Sequence, residues 1–188
     1  MGASSDGVLC EPQGGGASGA PDVRHMEEVV VVQLVPMSAA AYGDYVEAAV
    51  TGYADENVAS GRWPQDGALA RSRADLEESL PQGLDTPGNH LFEIRADDAG
   101  VTVGFLCFEV REKHGLSTAF VFDIEVDEEF RRRGYATAAL RELEPLVRDL
   151  GLSGINLHVF AQNEAAQALY GKLGYAVTGL NMLKTLGE

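Results

Sequence analysis

Phe122-Asp123-Ile124-Glu125-Val126 and the turn that follows, Arg131-Arg132-Arg133-Gly134-Tyr135-Ala136, decide how this chain folds. The first run alternates apolar and acidic residues. A half-buried strand would place Phe122, Ile124 and Val126 on one face and Asp123 and Glu125 on the other. Beyond the turn, Ala136, Ala139, Leu140, Leu143, Val147 and Leu150 recur at three- and four-residue steps, the stripe of a helix packed on a sheet. The basic turn therefore opens a helix. At such an end the first backbone N–H groups lack intrahelical partners and the macrodipole is positive. Gly134 lets an anion approach, the arginines add charge, and pyrophosphate is a natural guest. From these residues alone, a turn that merely solubilises a strand-helix junction reads equally well.

A second segment, Asn163-Glu164-Ala165-Ala166-Gln167-Ala168-Leu169-Tyr170-Gly171-Lys172-Leu173-Gly174-Tyr175, narrows the choice. Asn163 suits the N-cap of a short helix with Ala166, Leu169, Tyr170 and Leu173 on one face, and Gly174 suits a left-handed stop. In order, R-x-x-G-x-A and N-x-x-A-x-x-L-Y-x-K-x-G-Y resemble the GCN5-related N-acetyltransferase (GNAT) superfamily, and small bacterial members in particular. The resemblance spans about residues 28 to 186 and is tightest from Phe120 to Tyr175. It implies an α/β (α+β) domain with a central mixed, mostly antiparallel, twisted sheet flanked by about four helices. It also implies acetyl-CoA as acetyl donor and no metal.

Carried onto matching positions, the resemblance gives the backbone of Ile124, Glu125 and Val126 to the pantetheine arm. It gives Arg131, Arg132, Arg133, Gly134, Tyr135, Ala136 and Thr137 to the pyrophosphate, with Ala136 in place of the commoner glycine. Asn163 then holds the cofactor arm, and Tyr170 lies near the thioester sulfur as the candidate acid. The implied reaction is direct attack of a primary amine on the thioester within a ternary complex. An amine at neutral pH must first lose a proton to a base, and the carbonyl oxygen needs a donor as it gains charge. His158 stands where some ribosomal-protein acetyltransferase relatives carry a catalytic glutamate, and its ordinary pKa range suits a base. A plain place on the polar face of the strand Ile155 to Phe160 explains His158 as well. Glu125 and Asp123 are rival bases. Relatives often carry a bulge in that strand, so alternation does not say which carboxylate reaches the cleft. The acceptor site is expected between the first helices and the sheet, shaped by Tyr42, Tyr53, Trp63, Glu77 and Glu78, with Trp63 better read as packing.

Composition fits a single enzyme domain: 188 residues, 45% hydrophobic and 23% charged, are enough for one well-buried core. The net charge of −15 argues against nonspecific nucleic acid or anionic membrane as partner, because phosphate affinity needs clustered cations. An acidic surface could steer a cationic small-molecule or peptide amine, and plain solubility explains the charge equally well. No apolar run approaches the roughly 18 residues of a membrane span, and the start lacks a secretory pattern, so a cytoplasmic location is expected. Cys10 and Cys107 read as reduced thiols, and no Cys/His spacing suggests zinc. A homodimer is compatible with this reading.

Residues 1–27 are rich in Gly, Ser, Ala and Pro and read as a disordered tail or a mis-assigned start, with Met26 as the alternative; residues 28–188 read as the N-acetyltransferase domain. Expected elements are a strand from Glu28 to Leu34, a helix from about Ala39 and a second helix from about Asp66 to Leu80. Strands follow at His90 to Ala96, Val101 to Arg111 and Thr118 to Val126, and a final strand pair lies near Tyr175 to Leu186. Pro145 inside the turn's helix should kink it. Two other function classes are compatible with the same residues: a catalytically silent acyl-CoA-binding sensing module, and a protein-interaction domain using the acidic face.

Overall fold

The structure, a computed structural model, describes residues 30–97, 100–182 and 184. The expected tail, with Cys10 and Met26, lies outside the described residues. Among the described residues one sheet contains β1 (Val32–Pro36), β2 (Asn89–Ala96), β3 (Thr102–Lys113), β4 (Leu116–Val126) and β5 (Ile155–Leu157), in that spatial order. β1 to β4 pair antiparallel, and β5 joins β4 in parallel. The helices are α1 (Ala39–Ala59), α2 (Ala68–Ser79), α3 (Tyr135–Asp149) and α4 (Glu164–Lys172). This is the mixed, mostly antiparallel sheet with four helices that the motifs imply.

Local chemistry sets most boundaries. Ser38 caps α1, its hydroxyl accepting from the Ala41 N–H at 3.2 Å, while its own N–H donates to Glu93 at 3.1 Å. Burial would raise the Glu93 carboxyl, but hydrogen bonds from Ser38, Thr102 and Arg95 outweigh it and hold the group below its ordinary value. One acid thus ties the start of α1 to β2 and β3. His114 and Gly115, both at positive φ (54° and 76°), close the β3–β4 hairpin in the left-handed backbone conformations that match a two-residue turn to the right-handed twist of the strands.

Apolar side chains fill both faces of the sheet. Under α3, Ala139, Leu140, Leu143 and Val147 pack on Val32, Ile94, Leu106, Phe108, Ala119 and Val121. On the opposite face, Tyr45 of α1 and Leu80 pack with Met37, Leu91 and Cys107. Leu150, expected in the α3 stripe, is instead the exposed cap residue, because the helix ends at Asp149. α3 runs past Pro145 to Asp149 as one helix.

Three expectations need correcting. β1 begins at Val32, so Val30 and Val31 precede it, while Glu28 and Val29 lie outside the described residues. β5 ends at Leu157 instead of Phe160, because its partner stops matching it: β4 pairs through Ala119–Ile155, Phe120–Asn156 and Val121–Leu157 and no further. The final strand pair is not formed between Tyr175 and Met182, and Leu183 and residues 185–188 lie outside the described residues.

The alternation read for Phe122 to Val126 also fails, for a definite reason. On β3, Cys107 faces Asp123 and Phe108 faces Val121, which leaves Phe122 as an extra residue in a β-bulge. Phe122 therefore packs with the α1 cluster, whereas Ile124 packs on the α3 side. Asp123 comes to lie beside Tyr45 and Cys107.

Directly behind this stretch, Gly104 pairs with Val126, and a Cβ at Gly104 would overlap the Glu125 carbonyl. Only glycine lets β3 approach β4 so closely. Gly104→Ala should therefore cost about 1–3 kcal/mol in urea unfolding. It should do so without a change in m-value, and an unaltered midpoint would contradict the close approach.

Candidate active site

The turn between β4 and α3 leaves backbone donors without side-chain partners. Arg132 and Gly134 both take left-handed backbone conformations, with φ of 60° and 92°. Gly134 is the N-cap of α3 and no side chain caps that helix. Its carbonyl accepts from Ala138, so the N–H groups of Tyr135, Ala136 and Thr137 form the helix's free first turn. Successive N–H groups in such a turn make a positive concavity, reinforced by the helix dipole. These residues fit a pyrophosphate. The arginines do not act alike. Arg131 folds back, donating to the Val126 carbonyl at 2.8 Å and to Glu125 at 3.0 Å. Arg133 lies over the Phe130 ring at 5.8 Å, and Arg132 is exposed at the mouth of the turn.

Next to this turn the sheet opens. Pairing between β4 and β5 stops at Val121–Leu157, so Phe122 to Val126 on one side and His158 on the other flank a gap with free backbone groups. The α3 side of the gap is closed by α4, whose Leu169, Tyr170 and Leu173 pack against the core. Asn163 caps α4, its Oδ1 accepting from the Ala166 N–H at 3.1 Å, which leaves the amide Nδ2 to donate elsewhere. Gly174 ends this helix segment at φ 88°, as its position in the sequence implies.

The titratable groups around the gap influence one another. Burial, then the charge of Glu125, pushes the Asp123 carboxyl up to about 7, while contact with Tyr45 works the other way. The Tyr45 hydroxyl is buried without a well-formed hydrogen bond beside Asp123 and the Cys107 thiol, and burial pushes both the phenol and the thiol up. Glu56, near the end of α1, is raised by burial and by Glu125. Tyr170 is half-buried and raised by burial, with Glu56 and Asp123 adding to the effect. It therefore stays protonated at neutral pH. His158 shifts down, first through burial and then through Arg62, whose guanidinium lies 3.4 Å from Nε2. Glu125 is held by Arg131 at 3.0 Å.

Ile124, Glu125 and Val126 thus lie on the stretch of β4 that β5 does not pair and that leads toward the turn from Arg131 to Thr137. Tyr170 is close enough to Glu56 and Asp123 to feel their charge, His158 follows the end of β5, and Asn163 stands at the start of α4. Asp123, carried in the sequence only as a rival, sits deeper than Glu125. Of the residues expected to shape the acceptor side, Tyr42 packs in the α1 cluster, and Trp63 meets Tyr53 edge-on at 5.3 Å beneath Arg71. Glu77 and Glu78 are exposed on α2, and Glu56 supplies the acid near Tyr170 instead. Sequence reasoning missed Glu56, Tyr45 and Arg62. Glu56 was within reach of it, since it continues the helical face of Tyr45 and Ala49. Arg62 was not, because its partner His158 is distant in sequence. Among the described residues no group of three or more His, Cys, Asp or Glu is placed to hold a metal ion. Among them, too, no helix is long and apolar enough to cross a membrane.

Comparison with known proteins agrees with this geometry. The sequence model described as "Acetyltransferase (GNAT) family" matches residues 56–175. The uncharacterised N-acetyltransferase YycN of Bacillus subtilis (strain 168) is 32% identical over 157 residues, 84% of this chain and 100% of YycN. YdgE of the same organism, also an uncharacterised N-acetyltransferase, is 37% identical over 137 residues, 73% of this chain and 87% of its own. The crystal structure of YycN superposes with a TM-score of 0.79 at 33% identity, over 84% of this chain and 100% of that one. With the uncapped turn, the opened strands and these relatives together, the chain belongs to the acetyltransferase (GNAT) family, whose chemistry is acyl transfer.

Proposed function

We propose that this protein, through one domain spanning residues 28–188, moves an acetyl group from acetyl-CoA to a primary amine by direct attack in a ternary complex. The carrying observation is the edge of β4 left without a β5 partner beyond Val121, which leads toward the uncapped start of α3 and lies close enough to Tyr170 for Asp123 to act on its phenol. Bound acetyl-CoA would supply the thioester acyl group. The N–H groups of Arg132 through Thr137 hold the pyrophosphate, while Ile124, Glu125 and Val126 offer peptide groups to the pantetheine arm. Asn163 donates its free amide to the same arm.

The acid and the base follow from environment. Tyr170, kept protonated by burial and neighbouring carboxylates, donates its phenol proton to the leaving sulfur. Asp123 is the group best suited to take the amine's proton. A carboxyl raised to about 7 is ionised above neutrality yet basic enough to accept a proton there. Glu125 is engaged by Arg131, and His158 is drawn toward Arg62. The Asp123, Glu56 and Glu125 carboxylates also favour a cationic acceptor over a neutral one, by charge complementarity.

Calorimetry should detect acetyl-CoA binding to the purified protein, and its absence would overturn the cofactor assignment. Thiol release with an amine panel then separates an enzyme from a silent binding module. Tyr170→Phe should lower turnover about 100- to 10,000-fold with little change in acetyl-CoA affinity, the scale expected of a lost general acid. Activity should fall as pH drops through about 7, because the raised Asp123 carboxyl takes up a proton there and can no longer accept one. Asp123→Asn should abolish that acidic limb while Glu125→Gln and His158→Ala retain it. If His158→Ala or Glu125→Gln removes the limb instead, the base is that residue.

A further inference from the structure

The segment joining α1 to α2 carries an exposed guanidinium, that of Arg62, with an anchored main chain and no carboxylate partner among the described residues. Arg62 has no carboxylate within ion-pair distance among the described residues. It rests on His158 Nε2 at 3.4 Å and over the Phe160 ring at 4.8 Å, just past the end of β5. Its position is built from below. The N–H groups of Arg62 and Trp63 donate to the carbonyl of Asn57, a residue only 1% exposed. Farther along, Arg71 donates to the carbonyls of Pro64 and Asp66 and lies over the Trp63 ring at 5.6 Å. These ties anchor the main chain, and the exposed Arg62 side chain takes its place against His158 and Phe160.

That place is the acceptor side of the gap. Val121 and Leu157 are the last paired residues of β4 and β5, so Asp123 and His158 stand on opposite edges just beyond the same closed end. Asp123 faces α1 through Tyr45, and the Arg62 segment continues α1, so the acid and the guanidinium open on the same face of the sheet. His158, shifted toward its neutral form by burial and by Arg62, adds no competing charge and can accept from Arg62. In a chain of net charge −15, a cation without a carboxylate partner among the described residues, at the mouth of a carboxylate-lined opening, asks for an anionic group on the ligand. Guanidinium groups bind carboxylates well because their N–H fork matches two oxygens.

We infer that the acceptor is an amino carboxylate, a free amino acid or close analogue, whose amine points to Asp123 while its carboxylate is held by Arg62. This rests on the acetyl-transfer reading above and narrows it to a substrate class. A neutral or purely cationic amine would leave Arg62 unanswered, and an anion without an amine would meet Glu56 and Glu125.

The test compares acceptors in pairs, each amino carboxylate beside its own carboxamide, from alanine through the longer ω-amino acids to lysine. For the preferred member the carboxylate form should have the higher kcat/KM. Arg62→Gln should shrink that preference about ten- to hundredfold, the scale of a lost charge-assisted hydrogen bond. The loss should lie mainly in KM, with Arg62→Lys restoring part of it. Equal use of carboxylates and carboxamides, or a preference untouched by Arg62→Gln, would overturn the inference while leaving acetyl transfer intact. Should no amine be acetylated, the reaction reading fails separately. Calorimetric titration of the same amino carboxylates into CoA-loaded protein then decides: binding that Arg62→Gln abolishes supports the inference, and no binding refutes it.

Discussion

The extra residue in β4 is the constraint on which the rest of the site depends. A strand in the interior of a sheet normally satisfies its backbone on both sides. By inserting Phe122 as a bulge, β4 keeps its ladder with β3 yet stops matching β5 after Val121. The unmatched backbone from Phe122 to Val126 is then available to a ligand, and an extended arm with amide groups can complete it as an added strand would. The bulge also changes the phase of the side chains, placing Phe122 and Asp123 on the α1 face and Ile124 on the α3 face. Gly104 supports the arrangement from behind, because any larger residue would push the Glu125 carbonyl out of line.

Around that opening, burial and charge divide the work. Burial first, and then the charge of Glu125, raises the cost of ionising Asp123 and Glu56, and Arg131 pairs with Glu125 at 3.0 Å. Burial is the larger cause at Asp123 and pushes its carboxyl up to about 7, against the opposing contact with Tyr45. Tyr170 experiences the same carboxylates from the α4 side and keeps its proton. Both groups owe their states first to burial and then to neighbouring carboxylates. Positive charge is kept at the two ends of the gap: the free first turn of α3 at one, and Arg62 on His158 at the other.

Much of this was legible in the chain because it is local. A glycine after three arginines, ahead of an apolar stripe, marks a helix start with free N–H groups, and Asn163 with Gly174 marks a short capped helix. Ser38 before Ala39, and His114-Gly115 between two strands, work at the same range. What was not legible depends on partners distant in sequence. Alternation alone put Phe122 and Ile124 together, since nothing within the run Phe122 to Val126 announces that Cys107 and Phe108 will pair across a bulge. The strand from Ile155 looked able to continue to Phe160, and only the loss of its β4 partner ends it at Leu157.

The sequence by itself determined the order of the elements up to α4, the glycine turn that opens α3 and the membership in an acyl-transfer family, because each is encoded by residues within a few positions of one another. Tertiary structure alone decided which carboxylate turns toward Tyr45 and Cys107, that Glu56 and not Glu77 or Glu78 joins it, and that Arg62 meets His158. Those choices rest on contacts between segments far apart in the chain, whose register and burial are set only when the sheet and its helices pack.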